Sequence, residues 1–253
     1  MPPVTRTHTR IPLAEELALP PPFTLVTLRE VGDAFTHATS IANEYGAGTL
    51  VYVGRFDLVE FAVVLEPAEP LRLARRTIYA GMAALADALA VYAQPETAIM
   101  IDWPDSIFIN GGLVGGGRLA WPLGSSEDAP PAWLVFGAMI RTVSMARVEP
   151  GLNPQSTALE EEGFTDVRAI QVVESFARHF MAILDSWQEQ GFSVVAKSYL
   201  QRTPNGQDLV RYIDENGDLL VRRVGNVEAE RKELLRQLAE PAWLDPVVRG
   251  PRL

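Results

Sequence analysis

Residues 99–121, IMIDWPDSIFINGGLVGGGRLAW, decide how the chain is read. Ile99, Met100 and Ile101 form an apolar run that stops at Asp102-Trp103-Pro104. Proline fixes its own φ and keeps the residue before it out of helix. Ile107, Phe108 and Ile109 form a second apolar run, and Asn110-Gly111 follows it. Asn-Gly between apolar runs reads as a type I′ hairpin turn, because that turn needs positive φ at both central residues. Leu113-Val114 then leads into Gly115, Gly116 and Gly117. The pattern predicts two or three short strands around tight turns. Glycines inside a strand weaken it and mark a bulge, or a place where a ligand or another backbone comes close. The plainer alternative is a buried, tightly packed hairpin.

The same stretch resembles the core of the biotin/lipoate protein ligase family, whose members carry a KWPND strand end and then a V-N-G-x-K-x-x-G-I-L hairpin. Trp103 and Pro104 match the first, and Asn110-Gly111 and Val114-Gly115-Gly116 match the second. Asp105 stands where the family has Asn, Ser106 where it has Asp, and Asp102 where it has lysine. Ala47-Gly48-Thr49-Leu50-Val51 is similar to the family's A-G-T-L-V, and Leu65-Glu66-Pro67 to its L-x-P. Of the long GRGRRGRxW loop between them only Gly54-Arg55 remains. Ser156-Thr157-Ala158-Leu159 with Glu162-Gly163 resembles T-S-L-x-x-E-x-G. Ile213, Asp214, Glu215, Gly217, Leu219, Leu220 and Val221 resemble the G-I-D-E-x-G-x-L-L-V of the small C-terminal domain of biotin protein ligases. The resemblance spans residues 25–222. It implies an α/β (α+β) fold, with a mixed, mostly antiparallel sheet flanked by helices and a small C-terminal α+β unit.

Composition sets the outer limits. The chain has 253 residues, 47% of them hydrophobic, enough for one large domain or a main domain plus a small one. No run of eighteen apolar residues is present, and MPPVTRTHTR lacks the apolar stretch of a signal peptide. A cytoplasmic protein without a membrane span is the expectation. Zero cysteines exclude disulfides, thiolate metal sites and a cysteine nucleophile. A net charge of −10 argues against nucleic acid as partner, since phosphate binding needs clustered positive charge. Only Lys197 and Lys232 among the basic residues are lysine, and both come late in the chain.

Three segments are expected: an N-terminal arm over 1–22, a ligase-like domain over 23–203 and a small domain over 204–253. Phe23–Leu28 alternates and predicts a strand. Asp33 caps a helix that stops at Gly46. Gly48–Val53 and Asp57–Leu65 read as a hairpin. Leu71–Ala93 predicts one long helix, buried along Ile78, Met82, Leu85 and Leu89, with Arg72, Arg75 and Arg76 on a solvated face. Pro122–Pro131 is a polar loop and Ala132–Val143 an apolar strand. Pro150–Gly163 is a loop with a short turn, and Thr165 or Asp166 caps a helix running to about Gln190. Val194–Arg202 favours helix through the resemblance. Asp208–Arg223 is a hairpin around Asn216-Gly217, and Asn226 caps a closing helix that docks Leu234, Leu235 and Leu238.

The resemblance implies a reaction that joins a carboxylic acid to ATP and passes the acyl group to a lysine of a biotinyl or lipoyl carrier domain. ATP and Mg²⁺ are its implied cofactors, and biotin or lipoate its implied ligand. Such chemistry needs fixed positive charge at two anions. With Asp102 in the lysine position, the available cations are Arg55, Arg118 and Arg141, all at strand ends that the resemblance places around one cleft. Arg141 falls at the Asn of the family's G-I-G-I-N-V strand, which puts it at the rim or facing a site. Trp103, Asn110, Gly115, Gly116 and Gly117 complete the candidate binding set. Asp102 and Asp105 form the candidate catalytic pair, able to bind Mg²⁺ or share a proton; flanking turn residues is the alternative. The related octanoyltransferases use a lysine and a cysteine, a mechanism this chain lacks the residues for. Two functions follow: a divergent ligase or acyltransferase, or a non-catalytic protein of the same fold that binds a small acid or a partner protein.

Overall fold

A computed structural model of the chain describes residues 17–29, 32–144, 155–204, 206 and 208–253. In chain order the elements are β1 (Thr24–Leu28), α1 (Ala34–Tyr45), β2 (Thr49–Val53), β3 (Leu58–Leu65), α2 (Leu71–Ala74), α3 (Thr77–Ala90), β4 (Ile99–Asp102), β5 (Ser106–Ile109), β6 (Gly112–Ala120), β7 (Leu134–Arg141), α4 (Ala169–Gln190), α5 (Phe192–Leu200), β8 (Leu209–Ile213), β9 (Leu219–Arg223), β10 (Glu230–Lys232), α6 (Leu234–Leu238), β11 (Leu244–Asp245) and β12 (Gly250–Pro251). Most of the expected arm, residues 1–16, and Pro150–Pro154 of the expected loop lie outside the described residues.

The first seven strands form one sheet in the order β1-β2-β3-β7-β6-β5-β4. Only β1 and β2 run parallel; the other neighbours are antiparallel. The mixed, mostly antiparallel sheet of the sequence reading is therefore present. Side chains alternate across it, as the pleat requires. Val59, Phe61 and Val63 of β3 face α3 and α4, while Ala62 and Val64 face α1. The α4 side carries the larger core. Its centre is an aromatic pile: Phe136 stacks on Phe176 at 5.6 Å between ring centroids, Phe176 on Phe180 at 5.2 Å, and Phe61 leans on Phe176 at 4.5 Å. The other face is thinner, with Ala34, Ala38 and Ala42 letting α1 lie close to the sheet. Asp33 caps α1 as expected, its carboxylate accepting the Thr36 N–H at 2.8 Å, and Gly46 ends it with φ 73°. β8, β9 and β10 form a second sheet, and β11 pairs with β12.

Four expectations are corrected. The helix expected over 71–93 is two helices broken at Arg75-Arg76, and both arginines are buried rather than solvated. The guanidinium of Arg76 lies 4.5 Å from the Phe192 ring and 5.6 Å from the Trp187 ring, and donates to the carbonyls of Leu73 and Glu215. Arg75 reaches Glu127 at 2.6 Å. Tertiary partners therefore turn the helix, overriding a continuous local pattern. The helix expected from Thr165 or Asp166 begins at Ala169, because Asp166 sits at φ 67°, outside helix, and the Arg168 N–H is capped by Gln171. The closing helix expected from Asn226 is only Leu234–Leu238. Glu230–Lys232 pairs with β9 instead, and Leu235 stays exposed. Finally, the chain enters the core already at Leu17, before Phe23.

Phe176→Ala removes the middle ring of the aromatic pile. The cavity and the lost transfer energy should cost about 3–5 kcal/mol, read as a lower urea midpoint with an unchanged slope.

Candidate functional site

β6 is the strand of the three glycines. Asn110 at φ 48° and Gly111 at φ 89° make the expected turn into it. Gly115, Gly116 and Gly117 pair with Ile140, Met139 and Ala138 of β7. A Cβ on Gly117 would meet Met82 Sδ at 2.7 Å and the Phe136 ring at 2.9 Å on the α3 side. One on Gly116 would run into the Asp105 carbonyl, and would meet the Trp243 ring at 2.5 Å, on the opposite face. The close approach that glycine predicted is real, and its occupant is the chain's own indole. Trp243 is fully buried, belongs to neither core cluster, and donates its Nε1–H to the Gly117 carbonyl at 2.9 Å. The sequence reading did not single it out. Its only local signal is a tryptophan between Pro241 and Pro246 in an otherwise polar ending.

The three candidate arginines share the α1 face but not one role. Arg118 donates to Asp33 at 3.2 Å and its guanidinium lies 4.1 Å from the Phe35 ring. Arg55 holds Asp57 bidentately at 2.7 Å for each bond, and reaches Glu60 at 3.3 Å. Glu60 in turn accepts the Ala34 N–H at the start of α1. Two arginines are thus matched by three carboxylates. The Arg55 guanidinium holds the Asp57 carboxyl below the usual carboxylate range, whereas burial pushes Glu60 up. Arg141 differs. It is buried, and its partners are carbonyls: Thr157 at 3.3 Å, Pro251 at 2.6 Å and Arg252 at 3.0 Å. Among the described residues no carboxylate lies within ion-pair reach of it.

Arg55 and Arg141 line a cavity of about 510 Å³ with Arg249, Arg252, Asp57 and Asp245. Leu58, Val143, Val248 and Leu253 supply its apolar wall. Four guanidinium groups against two carboxylates leave a positive excess there. Arg118 is not part of this lining, so one cleft gathers two of the three expected arginines.

The expected carboxylate pair is split. Asp102 is exposed and lines a separate cavity of about 430 Å³ with Trp103, Arg211, Arg223 and Lys232. Asp105 is 1% exposed. Its Oδ1 accepts from the Ser106 hydroxyl at 3.1 Å, and its Oδ2 has no partner among the described residues. Burial pushes this carboxyl up to about 7. Trp103 is half-buried and donates Nε1–H to the Tyr79 hydroxyl at 2.9 Å. Asn110 is exposed, and bridges Ala98 and Glu162. Counting the hairpin pattern from Asn110-Gly111 also puts Leu113 where the V-N-G-x-K lysine would stand. The groups on the glycine face do not fit a nucleoside triphosphate. Its phosphates need uncommitted cations, while Arg55 and Arg118 are held by carboxylates and the backbone slot is filled by Trp243.

Comparison with known proteins gives a consistent answer. Residues 19–201 match the biotin/lipoate A/B protein ligase family. The biotin–[acetyl-CoA-carboxylase] ligase of Paracoccus denitrificans is 27% identical over 181 residues, covering 63% of this chain and 72% of that protein. Among solved structures, a biotin protein ligase-like protein of unknown function from Silicibacter sp. TM1040 superposes with a TM-score of 0.75 at 26% identity, covering 87% of this chain and 98% of the other. The biotin protein ligase of Aquifex aeolicus in complex with biotin and ATP gives 0.58 at 15% identity over 83% of this chain and 98% of its own, a likeness of fold.

The Asp105 carboxyl yields a signed pH prediction. A raised value means the folded chain holds this proton more tightly than the unfolded chain. Stability therefore falls as pH rises from about 4, the unfolded value, to about 7, the folded one. Asp105→Asn should flatten that slope and raise stability at pH 8 by on the order of 2–4 kcal/mol, measured by urea unfolding across the pH range.

Proposed function

The chain belongs to the biotin/lipoate A/B protein ligase family, and from that premise we propose that it binds a small carboxylic acid at the arginine cavity without adenylating it. One observation carries this reading: Arg141 is a buried cation whose hydrogen bonds all go to carbonyls, with the Glu161 carboxylate acting on it only at longer range, in a cavity with a surplus of guanidinium groups. Burial draws its pKa below the ordinary guanidinium range, so a counter-anion gains more there than in water. Guanidinium also matches carboxylate in shape, giving two parallel N–H bonds. The apolar wall of Leu58, Val143, Val248 and Leu253 suits an acid with a hydrocarbon chain.

Against adenylation stand Asp102 and Leu113 at the two lysine positions of the family patterns, and the shortened Gly54-Arg55 connection. A negative charge in place of a lysine repels the same phosphates the lysine would hold. The second reading is a ligase or acyltransferase that attaches the acid to a lysine of a carrier domain. It is favoured by the match to the Paracoccus denitrificans ligase along 181 residues. Calorimetric titration with biotin, lipoate and octanoate, each alone and with ATP–Mg²⁺, separates the two. Acid binding that ATP leaves unchanged is expected; acid binding that becomes tight only with ATP supports the ligase instead.

Removing one charge-assisted contact should cost about 1.5–3 kcal/mol. Arg141→Ala is therefore expected to weaken octanoate binding roughly tenfold to a hundredfold. Arg118→Ala should leave that affinity unchanged and lower the melting temperature, since its charge serves Asp33 and its plane covers Phe35.

A further inference from the structure

Two turns border the arginine cavity, and both carry apolar side chains into the solvent. Gly54-Arg55-Phe56-Asp57 joins β2 to β3, and the Thr142 hydroxyl donates to the Phe56 carbonyl at 2.6 Å. Pro246–Arg249 joins β11 to β12. There the Asp245 Oδ1 accepts the Val247 and Val248 N–H groups at 2.8 and 3.0 Å, and the Arg249 N–H donates to the Asp245 carbonyl at 2.9 Å. Arg55 and Asp57 of the first turn line the same cavity as Val248 and Arg249 of the second, so the two turns are neighbours. Tight turns favour Gly, Asn, Asp, Ser and Pro. These two carry Phe56, Val247 and Val248, exposed to 64%, 89% and 74%. Both backbones are held by hydrogen bonds, so the side chains are presented outward by firmly built turns. A single exposed apolar residue needs no explanation, whereas a group of them rimmed by charge marks a contact surface.

Charge decides what this surface meets. Arg249 and Arg252 are exposed beside the valines. Asp245 feels the Arg252 charge, but neither arginine has an ion pair among the described residues, and the Asp245 carboxylate is committed to its own turn. Arg249 also holds φ 55°, where glycine or asparagine costs less, so a guanidinium stands there at the expense of backbone strain. Apolar side chains flanked by uncommitted guanidinium groups match the boundary of a bilayer, where hydrocarbon lies directly beneath anionic headgroups. We propose that the two turns dock on an anionic lipid surface, with Phe56, Val247 and Val248 entering the acyl boundary and Arg249 and Arg252 meeting the lipid phosphates. The net charge of −10 does not prevent this, since charges beyond about 8 Å are largely screened at physiological salt. The contact has a use. The arginine cavity with its apolar wall lies between the same turns, so an acid with a hydrocarbon chain enters it from the bilayer without crossing water. The docking itself stands on the two turns and does not depend on the acid site.

The test is co-sedimentation of the full chain with vesicles of phosphatidylcholine, alone or mixed in equal parts with phosphatidylglycerol. Binding to the mixed vesicles is expected, with much less to phosphatidylcholine alone and a loss on raising salt toward about 1 M, where the screening length falls to about 3 Å. Val247→Asp and Phe56→Asp should each lower the partition coefficient roughly tenfold or more, since each withdraws an apolar side chain and adds a repelled charge. Arg249→Glu should act in the same direction. The control is the pair Val224→Asp with Val227→Asp, valines that are also exposed and stand near Arg222 and Arg223 in the turn between β9 and β10. That pair should leave the partition unchanged. An equal loss from the control pair, equal binding to neutral vesicles, or no vesicle binding by wild type overturns the proposal. So does a dimer, formed without lipid, that Val247→Asp splits, because it gives the face to a second copy of the chain. Octanoate titration separates this surface from the acid site. Val247 is outside the cavity lining, so Val247→Asp should bind octanoate as wild type does. Absent vesicle binding with octanoate binding intact removes the surface alone, and the reverse removes the acid site alone.

Discussion

A strand with no side chains over three residues, Gly115–Gly117 of β6, is the constraint on which the rest of the molecule depends. On one side it lets Met82 and the Phe136 ring come to contact distance of the backbone. Gly81 of α3 repeats the device from the helix, since a Cβ there would strike the same ring. Helix and sheet therefore meet more closely than side chains on both would allow, and the Phe136–Phe176–Phe180 pile forms in that narrow space. On the other side the same gap admits an indole. An empty gap of that size would forfeit contacts on every lining atom. The buried Gly117 carbonyl makes a further demand, because an acceptor away from water needs a donor. Trp243 meets both needs with one side chain.

The parts of the fold that local rules control were legible in the sequence. Period-two alternation gave β1, the hairpin pattern around Gly54-Arg55 gave β2 and β3, Asn110-Gly111 gave the turn into β6, and Asp33 and Gly46 gave the limits of α1. The misread parts have causes remote in the chain. Arg75 and Arg76 follow a helical pattern, and what turns them inward is Glu127, Glu215, Trp187 and Phe192. Glu230–Lys232 reads as helix by composition, yet a ladder to Leu219–Val221 and a pair between Arg231 and Asp218 hold it as strand. The candidate site divides in the same way. Glycine announced that something approaches β6, but only the folded chain names Trp243. Asp102 and Asp105 are three residues apart in sequence and open onto different environments, one solvated and one sealed.

The arginines make the same point in charge. Arg55 and Arg118 were legible as cations near a cleft and Asp33 as a helix cap, but only the folded chain shows that Asp33 meets Arg118 and that Glu60 meets Arg55. Guanidinium stays charged at any ordinary pH, so an arginine facing the α1 side must be met by an anion or by carbonyl dipoles. For Arg118 and Arg55 the chain provides carboxylates. Those pairs are half-buried to buried, and removing one member would strand the other charge. A ligand competing for Arg55 or Arg118 would have to displace a covalently tethered carboxylate, whose effective concentration is high. The same ligand at Arg141 displaces carbonyl dipoles and faces the Glu161 carboxylate only at longer range.

That difference decides where the fold can still take a ligand. An acid held on this sheet needs a cationic contact and a backbone slot beside it. In this chain the chain itself supplies an occupant to both, yet by different means. The carboxylates on Arg55 and Arg118 sit on β3, on the loop before it and at the cap of α1, elements held by the sheet and the helix core. The indole and the two carbonyls on Arg141 sit on a segment with two-residue strands and exposed valines. The first set is fixed by the sheet and the helix core, the second by the burial of Trp243, its bond to Gly117 and the bonds of Arg141 to Pro251 and Arg252.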